Sequence, residues 1–311
     1  MTQRRLPKHR RSPESVARKQ ITERSLAIVE LVNRYRFIRT SDIVRLVAGN
    51  ADVTHRHLQH LYHRGLISRL ISPTQRNKEF VYFLDNAAAL RELSVTYPVL
   101  SQYELNWEQI RLNREKYSAQ NLGAQEDIGR LLFVNHELMI SAFHADVERS
   151  CTNSDIELER WEQGAALWSS IEHPDVRETI PHRPDAFFTL RVSSAPEGQQ
   201  RSNFFFEADR NSTNLTRMRT KLESHLSFLM ARKHTERYGI RRVRAVLIQS
   251  TDQNRTANLK NLAGLVAAEQ PLAAVLFWFS TANIESSQSR ISVSSPIWAT
   301  TGDEKLRSLL D

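Results

Sequence analysis

The chain has 311 residues, 43 Lys plus Arg against 35 Asp plus Glu, one cysteine and 40 % hydrophobic residues. At roughly 150 residues per domain this length predicts two domains, each able to bury a core; the lone Cys151 excludes an internal disulfide framework and fits a reducing cytoplasm. The longest apolar run, Leu272 to Phe279, has eight residues, far below the roughly 18 that suggest a membrane span, and the basic N-terminus runs into Arg18, Lys19, Glu23 and Arg24 with no apolar stretch of the kind a secretory signal carries.

The net charge of +8 is unevenly placed: residues 1–100 hold 18 Lys/Arg against 8 Asp/Glu, and the remainder holds 25 against 27. A basic first third on an otherwise neutral chain predicts an anion-binding module, and nucleic acid is the commonest large anion in a cytoplasm. Residues 1–19 read as a basic disordered arm, with Arg4, Arg5, Lys8, Arg10 and Arg11 set among prolines without an apolar period.

Residues 20–95 carry the clearest pattern. Leu26, Ile28, Val29, Leu31 and Val32 form a helical stripe ending near Tyr35. A second helix, capped by Thr40 or Ser41, buries Ile43, Val44, Leu46 and Val47 and stops at Gly49-Asn50. A third, capped by Asp52 or Thr54, buries Val53, Leu58 and Leu61 and ends at Gly65. Leu66 to Ile71 and Phe80 to Leu84 then read as a hairpin. Three short helices and a hairpin are the parts of a winged helix-turn-helix. With Leu58 and Leu61 inward, the third helix is expected to present Thr54, His55, Arg56, Gln59 and His60 to base edges and phosphates of double-stranded DNA, and Arg76 and Lys78 to contact the flanking backbone from the wing tip. His55, His57, His60 and His63 do not read as a zinc site, because no Cys or carboxylate set lies nearby to close a tetrahedron. The run from Leu58 through Gly65-Leu66-Ile67 to Arg69 resembles the recognition helix and first wing strand of bacterial winged-helix regulators.

Residues 96–121, polar with Trp107, Ile110 and Tyr117 as scattered anchors, read as a linker or connecting helix, and residues 122–311 as an α/β domain. Its predicted elements are a buried helix over Asp127 to Val147, strands at Ile156 to Trp161, Ala186 to Val192 and Asn203 to Ala208, and a long helix from Asn214 to Arg237. A strand at Val243 to Gln249, a helix at Asn254 to Ala268 and a strand at Ala273 to Ser280 follow. The order αβββαβαβ predicts an α/β architecture with a mixed sheet, α+β for the chain overall. Asp185 opens one strand, and Glu207 and Asp209 point to the same side of the next. Three such acids need a cation, and hard oxygen donors suit Mg2+ or Mn2+; no cofactor is expected if the domain is inactive.

Pro184-Asp185 followed by Glu207 resembles the PD-(D/E)XK nuclease superfamily, whose members share a restriction-endonuclease-like αβββαβ core. The resemblance adds Glu137 on the preceding helix as a further acid. It also exposes a departure: Asp209 stands where that pattern has its lysine, and Lys221 on the following helix is the substitute. Under it, Asp185 and Glu207 with Lys221 would be catalytic, and Asp185, Glu207, Asp209 and Glu137 would hold metal. Over residues 22–265 the chain is similar to the replication-relaxation family of bacterial plasmids and mobile elements, on Gly65-Leu66-Ile67, Val81-Tyr82-Phe83-Leu84, His136-Glu137-Leu138, Arg183-Pro184-Asp185-Ala186, Phe205-Phe206-Glu207-Ala208-Asp209 and Lys221. This implies a DNA-binding protein of plasmid replication or mobilisation, acting with double-stranded DNA and with other replication or mobilisation proteins. No Tyr nucleophile with a histidine triad marks a relaxase site. Two alternatives stand beside this reading: a Mg2+-dependent endonuclease targeted by the winged helix, and a transcription regulator or antitoxin whose C-terminal domain binds a partner. A homodimer on a palindromic site is compatible with the pattern, although no coiled-coil seam marks one.

Overall fold

The computed structural model describes residues 11–13, 19–70, 79–117, 127–172, 179–211, 213–281, 291–303 and 305–311. Of the expected features, the arm residues Arg4, Arg5, Lys8 and Arg10 and the wing-tip residues Arg76 and Lys78 lie outside these. The chain divides into two compact units, Met1–Ala145 and Asp146–Asp311. No helix among the described residues is long and apolar enough to cross a membrane.

In the first unit, α1 (Glu23–Tyr35), β1 (Ile38–Arg39), α2 (Thr40–Leu46), α3 (Ala51–His63), β2 (Ser68–Leu70) and β3 (Val81–Phe83) follow the predicted order, with β1 added. The three strands form an antiparallel sheet in the order β1-β3-β2. The two-residue β1 gives too short a run for an alternating pattern to reveal it. Caps differ from expectation. The amides of α2 meet a side chain from across the unit, since Ser41 N donates to Glu79 Oε2 at 2.7 Å, while Thr40 Oγ1 donates to the Phe80 carbonyl. Asn50, two positions ahead of the first predicted cap, caps α3 by accepting from the amides of Asp52 and Val53. Gly65 ends α3 as predicted: at φ +76° it takes the left-handed position that closes the helix, with Leu66 N donating to Leu61 O.

Beyond the hairpin lie α4 (Ala87–Thr96), a 3₁₀ turn (Pro98–Tyr103), α5 (Trp107–Tyr117) and α6 (Asp127–Cys151). The stretch read as a linker is part of the first unit's core: Leu100, Leu105 and Ile110 are buried in one cluster with Ile28, Val32, Leu58 and Leu84, and Ala145 of α6 joins them. Burying such side chains is worth about 1.5–3 kcal/mol each, so the boundary falls within α6 rather than near Leu122. The scattered spacing of these residues concealed the packing, because Leu100 lies in the 3₁₀ turn, Leu105 in the loop after it and Ile110 on α5.

The second unit continues with β4 (Ile156–Gln163), β5 (Ser169–Glu172), β6 (Thr179–His182), β7 (Ala186–Val192), β8 (Arg201–Asp209), α7 (Leu215–Met230), α8 (Lys233–Tyr238), β9 (Ala245–Ser250), α9 (Gln253–Glu269), α10 (Ala273–Leu276) and β10 (Phe277–Thr281). The five-stranded sheet runs β10-β9-β8-β7-β4; β4, β7 and β8 are antiparallel neighbours, and β8, β9 and β10 are parallel. The predicted mixed sheet is therefore present. The β5-β6 hairpin was not predicted, the helix expected over Asn214 to Arg237 breaks at Arg232 (φ +54°), and Ala273–Leu276 is helical where a strand was expected. One face of the sheet packs Phe187, Phe205, Val246, Ile248 and Phe277 against Met218, Leu222 and Leu226 of α7 and Leu259 and Val266 of α9. Its opposite face carries Trp161 stacked on Phe188 and Phe188 on Phe204. Burial of both faces explains the unbroken Phe204-Phe205-Phe206 run.

Candidate functional site

Two constellations were expected, one on α3 of the first unit and one around the acids of the second. On α3, His55, Arg56 and Gln59 are exposed together with Asp52, at spacings of three and four that place them on one face. Thr54 and His60 are not on that face; they are 0 % and 6 % exposed. Thr54 faces α1, where Arg24 Nη2 donates to its hydroxyl at 2.7 Å. The stripe through 55, 56 and 59 is about 100° wide, and 54 and 60 fall on its flanks, where packing against neighbouring elements claims them. His57, like Thr54, belongs to the α1 contact: Ser25 Oγ lies 2.9 Å from its Nδ1, and burial followed by the Arg24 and Arg56 charges holds its pKa below the ordinary histidine value. A histidine used in this way holds α3 against α1.

In the second unit, Asp185 stands just before β7, Glu207 lies near the end of β8, and Lys221 and His225 lie one turn apart on α7. Asp185 Oδ2 accepts from the Ala208 amide at 2.8 Å, which ties the mouth of β7 to β8. Asp185 Oδ1 lies 3.4 Å from Lys221 Nζ, and Glu207 Oε2 is in direct ion-pair contact with the same ammonium. The other oxygen, Glu207 Oε1, is 2.6 Å from His225 Nε2, and His225 Nδ1 is 3.1 Å from His182 Nε2 on β6. His182 stacks on Phe228 at 3.9 Å. Lys221 on α7 thus reaches both Asp185 and Glu207.

Burial pushes the Glu207 carboxyl above its ordinary value, with the Lys221 charge pulling the other way. For Lys221 burial acts to lower the pKa, but the Asp185 and Glu207 carboxylates outweigh it and raise the ammonium above its usual range. His225 is driven down to about 3 by burial and then by the Lys221 charge, and His182 down to about 2 by burial and then by His225. Both rings are therefore neutral. With His225 Nε2–H donating to Glu207, its Nδ1 accepts from His182 Nε2–H, so the tautomers follow from one another. His225 and His182 were missed from the sequence; the spacing of four between Lys221 and His225 was the available signal.

Asp209 and Glu137 depart from the expected acid cluster. Asp209 shares a face with Glu207, but two residues along a strand are about 6.7 Å apart, far enough for each to meet a different helix. Arg255, near the start of α9, claims Asp209 through Nε to Oδ2 at 2.6 Å and Nη2 to Oδ1 at 3.3 Å, with both side chains buried. Glu137 lies in the first unit, where Arg36 Nη1 pairs with its Oε2 at 2.8 Å. Two carboxylates therefore converge, not three or four. Among the described residues no group of three or more His, Cys, Asp and Glu side chains is arranged to hold a metal. Asp185 Oδ1 and Glu207 Oε2 both face the Lys221 ammonium, and two carboxylates are within the one or two that Mg2+ takes beside substrate phosphates.

Compared with known proteins, the chain matches the family model described as Replication-relaxation over residues 29–243, more than two thirds of its length. No curated protein and no solved structure gives a match.

Proposed function

The chain belongs to the replication-relaxation family, and from that premise we propose that it is a cytoplasmic DNA-binding protein of plasmid replication or mobilisation whose first unit reads double-stranded DNA as a winged helix-turn-helix. The observation that carries this is the exposed stripe His55, Arg56 and Gln59 on α3 in the basic third of the chain. Arg and Gln are the side chains best suited to bidentate contacts with guanine and adenine edges in a major groove, and the surrounding cations supply the phosphate contacts that hold register. Gel retardation on the plasmid's own origin tests it. Arg56→Ala with Gln59→Ala is expected to abolish the specific complex, and wild-type binding is expected to weaken steeply with salt as counterions are released. A specific complex that survives the double substitution refutes the assignment.

A second reading, a Mg2+-dependent endonuclease, is favoured by the convergence of Lys221 on Asp185 and Glu207. Asp185 and Glu207 would hold the ion, which when bound polarises a phosphate and lowers the pKa of a water. Lys221, kept protonated by the two acids, serves as a donor that stabilises charge developing on a nonbridging oxygen, and not as a base. His225 fixes the Glu207 carboxylate by holding Oε1, leaving Oε2 for the reacting side. Supercoiled plasmid incubated with Mg2+ or Mn2+ and either wild type or Asp185→Ala tests this reading; equal nicking by the two removes it.

A further inference from the structure

Trp168 is the most exposed tryptophan among the described residues, at 52 %, and the cation over its ring, Arg183, is two residues before Asp185 in the chain. The turn that precedes it, Gly164–Leu167, is joined to the Asp185 segment by Gly164 N donating to the Asp185 carbonyl at 3.4 Å. Ser169 pairs with His182 across the β5-β6 hairpin, so Trp168 stands opposite Arg183, two residues before Asp185. The Arg183 guanidinium lies over the indole at 5.0 Å from the ring centroid, and Arg183 is itself exposed. From α8, Arg237 donates to the carbonyls of Trp168 and Ala166, which fixes the backbone under the ring.

An apolar ring costs free energy to expose, and here it is held rigidly, with more than half its surface open while the cation is seated. We propose that Trp168 and Arg183 form a binding site for one nucleotide of single-stranded DNA, the base stacking on the indole and the guanidinium taking the adjoining phosphate. A base paired in a duplex keeps both faces covered by its neighbours, so an isolated indole beside an arginine suits an unpaired base. Arg presents a planar fork of N–H donors matched to phosphate oxygens while still lying against a ring. Placement next to Asp185 would deliver the strand to the acid pair; that last step rests on the endonuclease reading, whereas strand binding does not.

The test uses the full chain and two fluorescein-labelled probes, a dT20 oligonucleotide and an origin duplex, read by anisotropy. Trp168→Ala and Arg183→Gln are each expected to weaken dT20 binding about tenfold, in line with the loss of a single stacked base or its phosphate contact. Trp168→Phe is expected to stay within about threefold of wild type, and duplex binding to be unchanged in all three. A change below about twofold in dT20 affinity for Trp168→Ala, or a parallel loss of duplex binding, would overturn the proposal. Loss of the endonuclease reading, through equal nicking by wild type and Asp185→Ala, leaves the dT20 result intact, so the two fail separately.

Discussion

Replacing Arg255 with alanine tests whether Asp209 is half of a structural ion pair or an open metal ligand. Arg255 is 7 % exposed and Asp209 3 % exposed, and the two share bidentate contacts of 2.6 and 3.3 Å, with Arg255 also donating to the Thr213 carbonyl. Removing one partner of such a pair leaves a charge without its counter-ion in a poorly solvated site, which costs about 3–5 kcal/mol. At roughly 2–4 °C per kcal/mol for a unit of this size, the midpoint of the second unit's thermal transition should fall by about 6–20 °C. Asp209→Asn should fall in the same range for the reciprocal reason. A double variant, Asp209→Leu with Arg255→Met, exchanges the pair for apolar packing and should recover most of the loss, since a buried ion pair and a well-packed apolar pair are often nearly equal in free energy. Calorimetry on the four proteins compares the loss in the double variant with the two single losses. A loss below about 1 kcal/mol for Arg255→Ala, or additive losses in the double variant, would refute the reasoning and return Asp209 to the list of metal ligands.

Other outcomes follow from the same contacts. Lys221→Met leaves Asp185 and Glu207 facing each other without a cation. Because the lysine side chain is 30 % exposed, the loss should be reduced by solvent screening to about 2–4 kcal/mol, and Glu207→Gln should restore part of it in a urea-denaturation cycle; no rescue would contradict the pairing. His182 and His225 remain neutral in the folded protein down to about 2 and about 3, while unfolded histidine titrates near 6.5. The unfolded chain therefore binds up to two more protons below pH 6.5, and stability falls by up to about 2.7 kcal/mol per pH unit between pH 6.5 and 3. Glu207, whose pKa is raised, acts in the opposite direction above its ordinary value of 4.5, where the folded chain keeps a proton that the unfolded chain has lost. His182→Phe should lower the slope between pH 6.5 and 5 by up to about 1.4 kcal/mol per pH unit, as read from urea midpoints, and an unchanged slope would count against the pair. Thr54→Ala, which leaves Arg24 without its 2.7 Å acceptor, should destabilise the first unit by about 1–3 kcal/mol without changing DNA sequence preference. Arg56→Ala should do the reverse, and a swap of these two outcomes in melting and retardation assays would invert the assignment of the α3 faces.

Periodicity alone located α1, α3, β7, β8 and α9 to within a few residues, because each is long enough for its apolar residues to repeat against a neighbouring layer. The uneven charge, the position of Asp185 before a strand, and the shared side of Glu207 and Asp209 were also legible, since they depend only on counting and on alternation along β8. The short elements were not: β1, β5 and β6 have two to four residues, too few to show a period. The membership of Leu100, Leu105 and Ile110 in the first core depends on contacts between distant segments. What the acids do was decided by tertiary structure for the same reason. Strand alternation places Glu207 and Asp209 on one side of the sheet, but which helix reaches each of them depends on how α7 and α9 pack across it. Lys221 and His225 come to Glu207, whereas Arg255 comes to Asp209 and removes it from the group. Arg255 lies 46 residues beyond Asp209 and leaves no local pattern beside it, so the sequence listed the acids and only the packed helices sorted them into a pair that meets Lys221 and one that meets Arg255.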